Sequence, residues 1–222
     1  MYRIRRLTPL TGLAGIGLLI AGLATDTAPT SSWPDAHIEH WYAHHSLGHW
    51  LLSAYLLAAA APFLLAFTAE ARARIAEYGA GGRSQALVLG SGVAFAVTVL
   101  TGAGLYAAIP AAMTFSSAPA PGADISRYLL GAAYGTLVMF SAFAAALLAA
   151  TLSIASLRHH ALHRWVAVTG IPASLLMLAN AALPMGVITL WFAAASVSLT
   201  VRRTATAHTH VPNPAAAVTA SA

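Results

Sequence analysis

Five of the ten histidines in this chain lie within residues 37–50, which read HIEHWYAHHSLGHW. Imidazole nitrogens bind zinc, copper, nickel and iron, so a dense group of histidines is a candidate metal site. On a helix, where each residue advances about 100°, His37, His40 and His44 fall within an arc of about 60°. The spacing therefore predicts that His40 and His44 hold a transition metal such as zinc, copper or nickel, with His37 just within reach.

Ligands from one helix make an incomplete site, because a zinc ion takes about four protein ligands, or three and a water molecule. Glu39 projects from the opposite side of the same helix. Asp35, just before the histidines, and Asp26, further back in the preceding loop, are the carboxylates that can approach. The metal interpretation therefore depends on a further ligand from outside the histidine face.

Two other interpretations of the same stretch stay open. Trp33, Trp41, Tyr42 and Trp50 interleave with the histidines, and such residues are typical of the headgroup level of a membrane. This pattern favours an interfacial collar, a band of aromatic residues at the membrane surface in which the histidines have no role of their own. Imidazole is also the side chain that ordinarily changes charge between about pH 5 and 8, so the cluster can instead act as a pH switch.

A second histidine group, RHHALHR at 158–164, carries an arginine at each end. We interpret it as a basic cytoplasmic loop between two membrane helices. In the topology derived below, about 30 Å of hydrocarbon separates it from the first group, so the two cannot share a di-iron site. The sequence offers no recognisable nucleophile, acid–base pair or cofactor motif. It therefore favours a protein that is not an enzyme.

The composition predicts the membrane on which these positions depend. Hydrophobic residues make up 59% of the chain and charged residues 8%, and the mean hydropathy is +0.73. Soluble domains carry about 25% charged residues, so we predict an integral membrane protein. The chain has no cysteine, which excludes disulfides and thiolate chemistry. Its basic residues are all arginine and alanine is abundant, which favours a bacterial source.

A helix that crosses a membrane needs about 20 mostly apolar residues, and six segments qualify. The last two share one apolar run that the turn residues of NAALPMG, at 180–186, divide. The predicted spans are about 7–24, 47–67, 86–109, 128–157, 165–182 and 184–201. The predicted fold is all-α, a six-helix transmembrane domain over 1–203 and a disordered cytoplasmic tail at 204–222. The first span also has the features of a signal peptide, so its cleavage stays open.

The placement of arginine predicts the orientation, because cytoplasmic loops carry an excess of basic residues. With the N-terminus inside, six spans leave only Arg127 of the 11 basic residues outside. Both termini are therefore predicted to be cytoplasmic in a bacterial inner membrane. The net charge of +5 is then a topology signal, and nucleic acid is excluded as a partner. The predicted partner is the lipid bilayer, with a homo-oligomer or another membrane protein as further candidates.

The predicted spans carry no charged residue at mid-depth, which weakens a proton-coupled transporter or pump. Their polar residues include Ser53, Thr98, Tyr134 and Asn180, which we expect to hydrogen-bond between helices. A polar cavity near Ser53, Thr98 and Asn180 would favour the alternative function, a carrier or permease for a neutral or apolar solute. The GxxxG of Gly131 and Gly135 predicts close helix packing, within the chain or in a dimer.

Three stretches carry a resemblance: PDAHIEHWYAHHSLGHWLLSAYLLAAAAPFLLAF at 34–67, HRWVAVTGIPA at 163–173 and VRR at 201–203. The chain over about residues 8–203 resembles a loosely defined group of small bacterial six-helix multi-pass membrane proteins of unknown function. The resemblance implies a fold and a location but no reaction. The five histidines depart from that group's pattern. We therefore predict a non-enzymatic membrane protein whose external His-rich helix senses or binds metal or protons.

Overall fold

The computed structural model describes residues 10–30, 32–179 and 184–209, and these ranges form helices without strands. The all-α prediction is confirmed. A π-helical segment, Gly135–Phe140, joins the fifth and sixth α-helices. The α-helices are α1 Thr11–Ala24, α2 Asp35–His44, α3 Leu47–Glu77, α4 Gly82–Phe115, α5 Ala123–Tyr134, α6 Ser141–His159, α7 Arg164–Ala179 and α8 Pro184–Thr209.

Three continuous helices are long and apolar enough to cross a membrane: Leu47–Glu77, Gly82–Phe115 and Ala123–His159, the last formed by α5, the π segment and α6. Shorter apolar helices accompany them at Thr11–Ala24, Arg164–Ala179 and Gly186–Val201. In the described residues α1 has 14 residues and α7 has 16, fewer than the roughly 20 of a full crossing. Length and composition therefore support three of the six predicted spans.

A tight turn makes α3 and α4 antiparallel neighbours. Gly79 adopts φ 82°, a left-handed conformation that a side chain would strain. The N–H of Gly79 donates to the carbonyl of Ala76, and the N–H of Ala80 donates to that of Ile75. This pair of bonds is the Schellman arrangement that ends a helix at glycine, and it lets α4 begin only a few residues later.

Glycine allows α1 to lie directly on α3. A Cβ built at Gly22 would be 2.7 Å from Leu57 Cγ and 3.1 Å from the Leu57 backbone nitrogen. By contrast, nothing lies within 4 Å of a Cβ built at Gly131 or Gly135. The within-chain alternative for that GxxxG pair is therefore wrong, because no described neighbour approaches this face of the long helix.

The π-helical segment between α5 and α6 affects how the long helix meets its neighbours. A π turn accommodates one extra residue, so it rotates the residues before it relative to those after it. Tyr134 precedes the segment, and the buried Leu137 within it contacts the surface of α4 at Gly102. Such segments are frequent at functional sites, and Tyr134 belongs to the site described next.

The last helix extends beyond its predicted end. α8 continues to Thr209, into the segment 204–222 that we predicted as a disordered tail. Its start at Pro184 agrees with the predicted division of the long apolar run. Residues 1–9, 31, 180–183 and 210–222 lie outside the described residues, and so do the predicted tail beyond Thr209 and the polar residue Asn180.

Candidate functional site

One end of the bundle carries α2, and we call it the α2 end. Pro34 precedes the helix with an extended backbone, Asp35 lies in the first turn and His44 in the last, which suits the helix dipole. The chain is extended again at His45, so α2 and α3 are separate helices. His45 and His49 therefore do not share one continuous helix with the first three histidines, and the wheel angles apply only as far as His44.

α2 has a buried face and an exposed face. Ile38, Trp41 and Tyr42 are buried, at 1%, 4% and 6% exposure, and Trp50 at the start of α3 is completely buried. The collar interpretation is wrong for these three aromatic residues, because they pack inside the protein and not at its surface. His37, His40, His44, His45 and His49 are all exposed.

Tyr42 connects α2 to α5 by a hydrogen bond. Its hydroxyl donates to Ser126 Oγ at 3.0 Å, and Ser126 in turn donates to the carbonyl of Gly122 at 3.2 Å. Burial raises the pKa of the Tyr42 phenol, so the group keeps its proton and stays a donor at neutral pH. This bond couples the position of the histidine helix to the first turn of the longest helix.

Arg127 makes a second connection between α2 and α5. Its Nη2 lies 2.5 Å from Asp35 Oδ1 and donates to the carbonyl of Trp33 at 2.7 Å. Its Nη1 lies 3.4 Å from Asp124. The Asp35 side chain is 67% exposed, and solvated pairs of this kind contribute little stability. The bond to the Trp33 carbonyl nevertheless fixes the position of the chain just before α2.

Asp26, in the loop after α1, turns back into the bundle. The hydroxyls of Tyr106 and Tyr134 donate to its two carboxylate oxygens. The N–H of Ala28 donates to Oδ1 at 2.9 Å. Because Tyr106 belongs to α4 and Tyr134 to α5, one carboxylate joins three parts of the chain. We call Asp26, Tyr106 and Tyr134 the Asp26 clamp.

Aromatic rings connect α2 to the Asp26 clamp. Ring centroids lie 5.7 Å apart for Trp41 and Trp50, 5.8 Å for Trp50 and Tyr106, and 6.0 Å for Tyr106 and Tyr134. The Trp50 indole N–H is buried and has no hydrogen-bond partner in the described part of the chain. The series of contacts runs from the buried face of α2 to the carboxylate.

The exposed histidines form one close pair. The rings of His40 and His44 stack with centroids 4.0 Å apart, and His44 Nδ1 lies 2.9 Å from the His40 carbonyl oxygen. With the hydrogen on Nδ1, His44 donates to that carbonyl and its Nε2 is an available acceptor. The His37 ring instead lies tilted against Trp33, with ring centroids 4.3 Å apart. The structure thus brings together two of the three predicted ligands and turns the third toward a tryptophan.

The carboxylates expected beside the histidines are engaged elsewhere. Asp26 accepts from the two clamp tyrosines, and Asp35 pairs with Arg127. Within residues 10–30, 32–179 and 184–209, no group of three or more His, Cys, Asp or Glu side chains that could hold a metal ion occurs. The site at His37, His40 and His44 therefore stays a prediction, and its completion requires water or a partner's ligand.

The polar residues of the spans differ in their partners. Ser53 on α3 donates to the carbonyl of Gly22 on α1, so interhelical hydrogen bonding is confirmed for Ser53. Tyr134 instead donates to Asp26 in the loop after α1. Thr98 instead donates back to carbonyls of its own helix. A cavity of about 10 Å³ lies inside the bundle, and its lining is apolar apart from Ser141.

Sequence reasoning missed the Asp26 clamp. Asp26 and Tyr106 lie 80 positions apart, and no spacing rule connects them. The sequence indicated only that Tyr134 would hydrogen-bond between helices, and it did not indicate Asp26 as the partner. Arg127 was singled out as the lone outside arginine, but its partners at Asp35 and Trp33 follow from the fold.

These features define an all-helical protein with three helices of membrane-spanning length and a polar and aromatic site at one end of the bundle. No family model, curated protein or solved structure matches the chain. The function is therefore argued from the chain's own residues.

Proposed function

We propose that this chain is a multi-pass protein of a bacterial inner membrane with six spans, both termini in the cytoplasm and α2 on the outer side. The distribution of arginine supports this orientation: Arg72, Arg74, Arg83, Arg158 and Arg164 belong to the end opposite α2, and Arg127 to the α2 end. A bias of this kind follows the positive-inside rule.

Single introduced cysteines test the orientation, because the chain has none of its own. Ala43 on α2 and Ala76 at the end of α3 are both exposed, so Ala43→Cys and Ala76→Cys are matched probes. In intact cells with a permeable outer membrane, a membrane-impermeant maleimide is expected to label Cys at 43 and to label Cys at 76 only after lysis. Labelling of both positions, or the reverse pattern, would contradict the orientation.

We further propose that α2 is an external receptor for a transition metal or for protons. One observation carries this proposal: the helix is held by its buried face, through Tyr42 and the aromatic series, while His37, His40 and His44 lie on its exposed side. A helix that serves only to pack against the bundle needs only its buried face. The exposed imidazoles lie outside that buried face, and they are available to solutes.

The His40–His44 pair suits an open metal site. Two imidazoles at i and i+4 supply two ligands from one helix face, and the remaining positions are left to water or to a partner. Closed structural zinc sites use four protein ligands, whereas catalytic zinc sites leave a position open for water or substrate. We therefore expect affinity in the micromolar range and no requirement of the metal for folding.

Isothermal titration of zinc, copper and nickel into the detergent-purified chain at pH 7.5 tests metal binding. His40→Ala/His44→Ala is expected to abolish it. His45→Ala/His49→Ala removes the same number of exposed imidazoles from the same segment and is expected to retain it. Equal loss in both double variants, or unchanged binding in the first, would rule out the pair as the metal site.

Proton sensing has a separate readout. The His37 ring lies against Trp33, and His45 stacks on Trp41 at 4.9 Å. A change of imidazole charge is therefore expected to alter tryptophan fluorescence. We expect a pH-dependent change in fluorescence that decreases in His37→Gln and His45→Gln. A fluorescence signal that is independent of pH would exclude the proton receptor and leave the metal test unaffected.

A further inference from the structure

A cavity lies at the opposite end of the bundle from α2, between α6 and α7, and we call this the loop end. Its volume is about 330 Å³, and Ser156, Leu157, His160, Leu162 and Arg164 line it. Small-molecule sites ordinarily span about 300–1,000 Å³. The cavity involves the second histidine group of the sequence, which the proposed function does not use.

The loop that forms the cavity is held in place from both sides. α6 ends at His159, and His160 takes a left-handed conformation at φ 58° with its N–H donating to the Ser156 carbonyl. The N–H of His163 donates to Ser198 Oγ on α8 at 2.8 Å, and Leu162 is buried. The cavity is therefore a built feature of the α6–α7 connection.

Ser156 provides an unused hydrogen-bond donor in this cavity. It is 1% exposed, and its hydroxyl has no hydrogen-bond partner in the described ranges. Hydroxyls inside helices commonly donate to the carbonyl four residues back, as Thr151 of the same helix does to Leu147 at 2.8 Å. A buried polar group without a partner is costly, so an acceptor that enters the cavity would satisfy Ser156.

The charge at the loop end favours an anion. Arg164 is the first residue of α7, a helix of 16 residues, and the first N–H groups of a helix lack acceptors within it. The acidic residues described at this end, Glu70 and Glu77, lie on α3 and pair with Arg74 at 3.7 and 3.0 Å. The segment 158–164 has no acidic residue of its own.

We propose that the loop-end cavity binds a phosphate group. The Arg164 guanidinium and the α7 N-terminus supply the positive potential, and the Ser156 hydroxyl supplies a hydrogen bond. Guanidinium groups match phosphate geometry with paired N–H donors. Leu157 and Leu162 give the cavity apolar walls that suit the organic part of a phosphate ester. Free phosphate and the headgroup of an anionic phospholipid share this chemistry.

Titration of inorganic phosphate into the detergent-purified full chain is the first arm of the test. Arg164→Gln is expected to weaken binding by about tenfold or more, since a charge-assisted bond is lost, and Ser156→Ala by roughly fivefold. Arg158→Gln is the matched control, because it removes the same charge from the last turn of α6, beside the same loop, at a residue outside the cavity lining. Less than about twofold change is expected.

The second arm uses nanodiscs of phosphatidylcholine with or without phosphatidylglycerol, followed by native mass spectrometry of the lipid that the protein retains. Retention of phosphatidylglycerol that Arg164→Gln and Ser156→Ala reduce, and Arg158→Gln does not, would identify a lipid headgroup as the source. Phosphate binding with the same variant pattern and no lipid preference would identify a soluble phosphate.

The proposal is overturned if neither probe binds, or if Arg158→Gln weakens binding as much as Arg164→Gln does, since binding would then follow net charge alone. Size-exclusion profiles and thermal unfolding of each variant establish that it is folded. Ser156→Ala keeps the test decisive if Arg164→Gln does not fold, because it removes a single oxygen from a buried position.

Discussion

At the α2 end, Asp26 accepts hydrogen bonds from two tyrosine hydroxyls and a backbone N–H, whereas at the loop end the buried hydroxyl of Ser156 has no partner among the described residues. The α2 end uses the Asp26 carboxylate and the tyrosine hydroxyls to join helices and leaves imidazoles on the outside. The loop end leaves a donor and a cation around a cavity. Polar groups that are satisfied within the fold stabilise it, and those that are not are available to a ligand.

Among the substitutions that test this comparison, Asp26→Ala is expected to lower the free energy of unfolding the most. The substitution leaves the buried Tyr106 hydroxyl and the half-buried Tyr134 hydroxyl without their charged acceptor, and we expect a loss of about 3 kcal/mol in the free energy of unfolding. Unfolding in mixed micelles measures it. Asp124→Ala removes a carboxylate that is 85% exposed and is expected to change little. Equal effects of the two substitutions would show that the clamp does not stabilise the bundle.

Tyr42→Phe is expected to have the next largest effect. It removes one buried hydroxyl and its bond to Ser126, which we expect to cost about 1 kcal/mol in unfolding free energy and to increase hydrogen exchange in α2. Tyr128→Phe, at a side chain that is 80% exposed, is the control. A similar loss at both positions would mean that the Tyr42–Ser126 bond is not specific in docking α2.

Arg127→Gln is expected to produce a smaller loss than Tyr42→Phe, and one that depends on salt. Its partner Asp35 is largely exposed, and the attraction between exposed charges is screened as ionic strength rises. Unfolding at low and at high salt therefore gives the check. The difference from the wild type is expected to shrink with salt, and a difference that salt does not change would show that the bond to the Trp33 carbonyl dominates.

Ser156→Ala is expected to have the smallest effect in the absence of phosphate, within about 0.5 kcal/mol of the wild type. Removal of a hydroxyl that makes no bond within the described residues loses no interaction there, in contrast to Tyr42→Phe at the other end. With saturating phosphate, the wild type is expected to gain more thermal stability than the variant does. A large loss without phosphate would reveal a partner within the fold and would remove the contrast between the two ends.

The parts of the structure that depend on local sequence were predictable. The apolar segments give the helices, and the turn chemistry of Pro34 and Pro184 gives helix starts close to those observed. The arrangement of the histidines was less predictable: the pattern of His37, His40 and His44 predicts a shared face, yet the His37 ring lies tilted against Trp33. The break at His45 was missed, because a two-residue interruption between two polar and aromatic helical segments leaves little periodic signal.

The sequence by itself determined the helical class, the three helices long enough to cross a membrane and the accumulation of histidine at one end, because hydropathy, length and spacing are local properties. The tertiary structure decided which face of α2 is buried, which glycines touch a neighbour and which acid meets which hydroxyl. Asp26, Tyr106 and Tyr134 meet only after three helices pack, and Ser156 becomes a candidate donor only because α7 and its loop enclose it. Such contacts depend on the relative position of distant segments, and one segment's pattern carries no information on that position.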